Sequence, residues 1–174
     1  MKKKVVLGVA LAAILTTGTA FADGFGIGVH GGFGGIGGGA GLNLAFSGMY
    51  LYIDGLSASN NNFAVSGALD FMSLFHDEFV DTLSFYIRLG VGASLWTWST
   101  AHSDGLGVAA GLRLPIGLSW RPIDLLELFV QLVPQVGLRF AGHDANVSND
   151  ATGYGGFRIW SNFWGANLGL RIWL

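Results

Sequence analysis

Between Leu106 and Trp120 every even position is apolar, whereas the odd positions hold only Gly, Ala, Arg, Pro or Ser. Side chains alternate faces along a strand, so this segment has one greasy face from end to end and one small or charged face. A half-buried strand of a soluble protein alternates in the same way. Length, repetition and cellular address therefore have to decide between the two.

The address is written in the first residues. Lys2, Lys3 and Lys4 form a positive start, Val5 to Leu15 an apolar core, and Ala20-Phe21-Ala22 a small-x-small cleavage site. That apolar run is too short to span a bilayer. The expected organisation is a signal peptide over residues 1–22 and one barrel domain over residues 23–174. Every lysine leaves with the leader, so 6 Arg face 11 acidic residues and the formal charge becomes −5. Such a balance argues against a nucleic-acid partner. The absence of cysteine removes lipoprotein anchoring, disulfides and thiolate chemistry.

The chain is 51% hydrophobic and 11% charged, yet after the leader no stretch has the roughly 20 unbroken apolar residues that a membrane helix needs. Only helices and closed barrels satisfy their backbone hydrogen bonds in hydrocarbon. The fold class expected is therefore all-β, an eight-stranded antiparallel transmembrane β-barrel. The strands read as Gly24–Phe33, Ala40–Ser47, Met49–Ser57, Phe63–Phe75, Leu83–Trp98, Leu106–Trp120, Leu126–Phe140 and Trp160–Leu174. Gly34–Gly39 reads as a flexible turn, His76–Thr82 as a charged turn, and Ser57–Asn62, Ser99–Asp104 and Ala141–Ile159 as loops of the outer end. Pro115 and Pro134 fall inside strands, and each predicts a bulge or a locally lost ladder bond.

In strands five to eight the glycines fall on the face opposite the greasy one: Gly90, Gly92, Gly107, Gly111, Gly117, Gly137, Gly165 and Gly169. An eight-stranded barrel has an interior just wide enough for side chains, so small inward residues are required. The same face carries Arg88, Arg113, Arg139 and Arg171, with Glu127, Gln131 and Gln135, and strand four adds Asp70. A soluble ligand-carrying barrel would invert this arrangement. Asp70 and Arg88 lie at similar distances from the strand four–five turn, which predicts an ion pair between them. Glu127 should lie near Arg171 and Arg121, leaving Arg113 and Arg139 without acidic partners and available to water or an anion.

The run Leu112-Arg113-Leu114-Pro115-Ile116-Gly117-Leu118-Ser119-Trp120-Arg121-Pro122, followed by Leu126 to Pro134, resembles a family of small, functionally uncharacterised outer-membrane proteins of spirochaetes. That family is compared with OmpW-like and OmpA-like eight-stranded barrels. The resemblance implies an outer-membrane barrel with either a narrow channel or a host-binding surface, and it brings no catalytic residues. The alternating Ala166, Leu168, Leu170, Ile172 and Leu174 resemble an outer-membrane assembly signal, with Leu at the end where that pattern has Phe.

Other chemistry is weakly written. Gly26-Ile27-Gly28-Val29-His30-Gly31 matches the dinucleotide fingerprint formally, but that mechanism needs a helix immediately after the glycines. His102 and His143 fall in loops beside Ser103, Asp104 and Asp144 without the spacing of a triad, and no two of the four His share a metal-binding spacing. Trp96, Trp98, Trp160 and Trp164 cluster at one rim, and Phe75, Phe79, Trp120 and Trp173 at the other, as aromatic girdles do. On inward parity, Trp96, Trp98 and Trp173 also suit a lumen cap. The expectation is a non-enzymatic bacterial outer-membrane protein without metal or cofactor. It is structural or a narrow small-solute channel with an Arg-lined lumen. The alternative is a surface binder or adhesin using loop 141–159 on an inert barrel. Its partners would be outer-membrane lipid, the assembly machinery, and a solute or host ligand at the outer loops.

Overall fold

The computed structural model describes residues 24–34, 36, 39–59, 62–99, 104–142 and 156–174. The expected leader 1–22, its expected boundary at Asp23, the loop residues His102, Ser103, His143 and Asp144, and the side chains of Phe63, Trp98 and Asp104 lie outside that description. The strands are β1 (Phe25–Phe33), β2 (Gly41–Phe46), β3 (Met49–Ser59), β4 (Asn62–Val80), β5 (Leu83–Ser99), β6 (Asp104–Arg113), β7 (Ile116–Ile123), β8 (Leu126–Leu132), β9 (Gln135–Gly142), β10 (Gly156–Asn162) and β11 (Ala166–Trp173). β6 with β7, β8 with β9, and β10 with β11 are each one barrel strand interrupted once, which makes eight. All pairings are antiparallel, β11 closes on β1, and β7 returns to β5. The molecule is a closed eight-stranded antiparallel β-barrel.

Two of the three interruptions are where prolines stand. Pro115 and Pro134 cannot donate to a ladder, and the strands break at Leu114-Pro115 and Val133-Pro134. Their carbonyls still accept: Leu114 donates its N–H to Pro134 over 2.9 Å and Arg88 to Pro115 over 2.9 Å. Val133 in turn donates to Gly165 over 2.7 Å. The breaks of three successive strands thus lie side by side and form one seam across the barrel wall. Beyond this seam, away from the chain termini, the sheet among the described residues runs β10-β9-β6-β5-β4-β3.

Two turns differ from the sequence reading. β4 continues through His76 to Val80, and the turn is confined to Asp81-Thr82. Register shifts between Asp70 and Met72, Ser73 and Phe75, and Glu78 and Val80 keep the charged stretch paired with β5 despite its broken alternation. β3 and β4 likewise extend to Ser59 and from Asn62, leaving a shorter connection than Ser57–Asn62. The β2–β3 hairpin turns on Ser47 (φ 46°) and Gly48 (φ 73°), two successive left-handed residues, as a hairpin twist demands.

The wall is inside-out relative to a soluble protein. Leu112 is 52% exposed while its neighbour Arg113 is 2% exposed. Val108, Leu118, Val130, Val136, Leu138 and Leu170 are exposed on the outer surface. A cysteine at Leu112 or Leu118 is therefore expected to resist a membrane-impermeant thiol reagent in lipid, whereas one at turn residue Asp124 reacts readily. Equal labelling at all three positions would rule out a lipid-facing outer wall.

Candidate functional site in the barrel lumen

Inward positions in neighbouring strands lie side by side in rungs perpendicular to the strands. In one rung Asp70 of β4 stands opposite Gly90 of β5, which stands opposite Arg113 of β6. With no side chain at Gly90, the carboxylate and guanidinium meet across it. Arg113 Nε lies 2.8 Å from Asp70 Oδ1, off the axis of a hydrogen bond, and Arg113 Nη2 donates to Oδ2 over 3.5 Å. A Cβ built on Gly90 would collide with Asp70 Oδ1.

The same device recurs. His30 of β1 reaches Asp54 of β3 across Gly41 of β2, with Nε2 and Oδ1 2.5 Å apart. Tyr86 of β5 donates its hydroxyl to Gln131 of β8 over 3.0 Å, across Gly117 of β7. Arg171 of β11 donates Nε to Asn43 of β2 over 2.9 Å, across Gly28 of β1. Inward glycines therefore do more than save volume: they let polar groups two strands apart bond over the strand between them.

These contacts overturn two expectations. Asp70 does not pair with Arg88, because the β4 bulges put Gly90 opposite Asp70 and Ser73 opposite Arg88. Arg113 is not left without an acid, because Asp70 holds it. Arg88 instead lies between two rings, its guanidinium carbon 3.5 Å from the centroid of Tyr50 and 3.7 Å from that of Tyr86. Among the described residues it has no carboxylate within 4.0 Å. Arg139 lies at the far end, exposed, with its guanidinium 4.6 Å from the ring of Trp96.

Glu127 collects the groups anticipated for it and two more. Arg171 Nη1 and Trp173 Nε1 each donate to Oε2 over 2.7 Å, Ser119 Oγ donates to Oε1 over 2.7 Å, and Arg121 Nη2 stands 3.6 Å from Oε2. Trp173 thus turns its indole N–H into the lumen near the chain termini. Gln135 receives a different partner. It accepts from the N–H of Ile36 over 2.8 Å and donates to the Ile36 carbonyl over 2.7 Å. The Gly-rich connection after β1 is therefore no mere turn: it carries a buried Ile36 into the lumen, where a Cβ on Gly92 would touch it.

Alternation could have pointed to Asn43, Tyr52 and Asp54, which share the inward parity of β2 and β3. The reach across glycines had no such signal. Ser66 donates to Asp54 over 2.6 Å, so the buried order is His30, Asp54, Ser66. The acid stands between the other two, whereas in a nucleophilic triad the base stands between nucleophile and acid. The Gly26–Gly31 fingerprint lies in β1, paired on both sides by strands, and cannot cradle a pyrophosphate at a helix terminus.

The centre is dense and polar. Tyr52, Tyr86, Asp70 and Asn43 have essentially no solvent exposure. Several buried groups there lack a hydrogen-bond partner among the described residues, including Asn43 Nδ2, Tyr52 Oη, Arg113 Nη1 and Arg171 Nη2. No curated protein and no solved structure matches the chain. Residues 24–172 match the profile of DUF3996, a protein of unknown function, and the chain belongs to that family.

Proposed function

We propose that the protein is a non-catalytic outer-membrane β-barrel, exported by residues 1–22 and closed through its middle, acting as a structural element of that membrane. The observation that carries this reading is the inversion at Leu112 and Arg113, repeated around the wall: apolar side chains outside, ion pairs inside. Burying a charge is expensive unless it is paired, and an unexposed lumen in which Asp70, Arg113, Glu127 and Arg171 are ion-paired is what a barrel without a conduit requires. Its neighbours would be outer-membrane lipid and the assembly machinery, and the connections at the end remote from the termini would face outward. Refolded protein in a planar bilayer is expected to remain electrically silent. Sustained discrete openings would defeat the closed reading.

A second reading, a narrow anion path, is favoured by the buried N–H groups of Asn43, Arg113 and Arg171 that have no acceptor among the described residues. Donor-lined constrictions select anions. If openings are seen, reversal potentials in a salt gradient decide it: anion preference supports the path, and its absence removes it. A role as a surface binder would rest on the loop 141–159 and would leave the bilayer silent, with a ligand captured only by intact cells.

A further inference from the structure

At the end of the barrel that carries both termini, a pocket of about 110 Å³ opens between the β4–β5 turn and the lumen. A single water needs roughly 10–15 Å³ on the same measure, so this space accommodates a polyatomic ion. Arg88, Tyr50 and the ion-paired Glu127 line its inner part, together with the hydroxyl residues Thr82, Ser84 and Ser119 and the half-exposed Arg121.

The electrostatics of its inner wall are one-sided. Asp70 is held by Arg113, and Glu127 by Arg171 with Arg121 nearby. Arg88 remains as a buried guanidinium with no carboxylate within 4.0 Å among the described residues. The remaining acids of the pocket, Glu78 and Asp81, are exposed to solvent at the turn, where water and salt screen them. Glu78 also lies 3.8 Å from His76. The buried wall, where charge is screened least, is therefore positive.

The two tyrosine rings also dictate how Arg88 can bind. They occupy its faces at 3.5 and 3.7 Å, which leaves the edge N–H groups for further partners. A guanidinium edge is a planar fork that matches two oxygens of one oxyanion. From this geometry we propose that the pocket is a binding site for a small phosphate-type oxyanion, held edge-on by Arg88 and assisted by Arg121 and the hydroxyls of Thr82 and Ser84. The site does not depend on conduction through the barrel, so it stands or falls separately from the closed-barrel reading.

The test uses the refolded full barrel in detergent with inorganic phosphate as probe. At constant ionic strength, set with chloride, phosphate should raise the thermal midpoint in a saturable way. Arg88→Met should abolish that saturation, and Arg88→Lys, which keeps charge but loses the fork, should weaken it several-fold. A midpoint indifferent to phosphate, or a saturable rise unchanged in Arg88→Met, overturns the proposal. Should the variants fail to fold, ³¹P line broadening of phosphate by the wild-type barrel, reversed by sulfate, supports the site. Absence of broadening, or broadening that sulfate leaves intact, overturns it. Dihexanoyl phosphatidate distinguishes the source: tighter saturation than by phosphate assigns the site to a lipid headgroup, weaker saturation to a free ion.

Discussion

Asp70→Ala is expected to lower the unfolding free energy by about 3–5 kcal/mol, because it strands Arg113 as an uncompensated buried charge. Arg113 is 2% exposed and Asp70 fully buried, so water cannot take the place of the lost partner in the folded barrel. Arg113→Ala should be comparably harmful for the mirror reason: it leaves Asp70 without its cation. The paired replacement Asp70→Leu with Arg113→Met should recover most of the loss, since an apolar pair of similar volume carries no desolvation cost. Urea unfolding in detergent micelles, followed by tryptophan fluorescence, measures all four proteins. If Asp70→Ala were within about 0.5 kcal/mol of wild type, the level of an ordinary surface change, the ion pair would not be holding the lumen.

Gly90→Val should be at least as damaging, although it removes no interacting group. A Cβ at residue 90 collides with Asp70 Oδ1 and approaches the Leu69 carbonyl at 2.7 Å. Backbone cannot retreat within a paired strand, so the carboxylate must move and its bond to Arg113 is cut. Overpacking of about 1–3 kcal/mol then adds to the loss of the ion pair. Gly31→Ala is the control. It lies in β1, and a Cβ there meets nothing within 4 Å. Its change should stay within about 0.5 kcal/mol. Equal stability of the two variants in the same urea series would show that the space above Gly90 is not what joins Asp70 to Arg113.

Glycine is also where sequence reasoning and structure part. Parity along β6 and β8 already separates Arg113, Glu127 and Gln131 from their apolar neighbours, because alternation is a local property of one strand. Partner choice is not local. Distances counted from the β4–β5 turn suggest Asp70 with Arg88, and they hold only while the ladder is regular. Bulges in β4 displace that count, and Gly90 then offers Asp70 a partner two strands away. Glu127 with Arg171 is legible because β8 and β11 pair without a shift.

The burial of Ile36 was equally illegible. A glycine run carries no periodicity, so nothing in it signals that its one apolar residue will cross the lumen to Gln135.

What the chain alone determined is the architecture: alternating strands, an apolar outer face, small and charged inner positions, and prolines that must interrupt a ladder. These follow from the two-residue period of a strand and the missing N–H of proline, which act within a few residues of chain. Only the tertiary structure decided which inward charge meets which. Closure and stagger bring together residues from strands far apart in sequence, and the bulges and the empty volume over each glycine set the final pairs. The seam of three aligned breaks, the Arg88 sandwich between Tyr50 and Tyr86, and the pocket beside it are consequences of that closure.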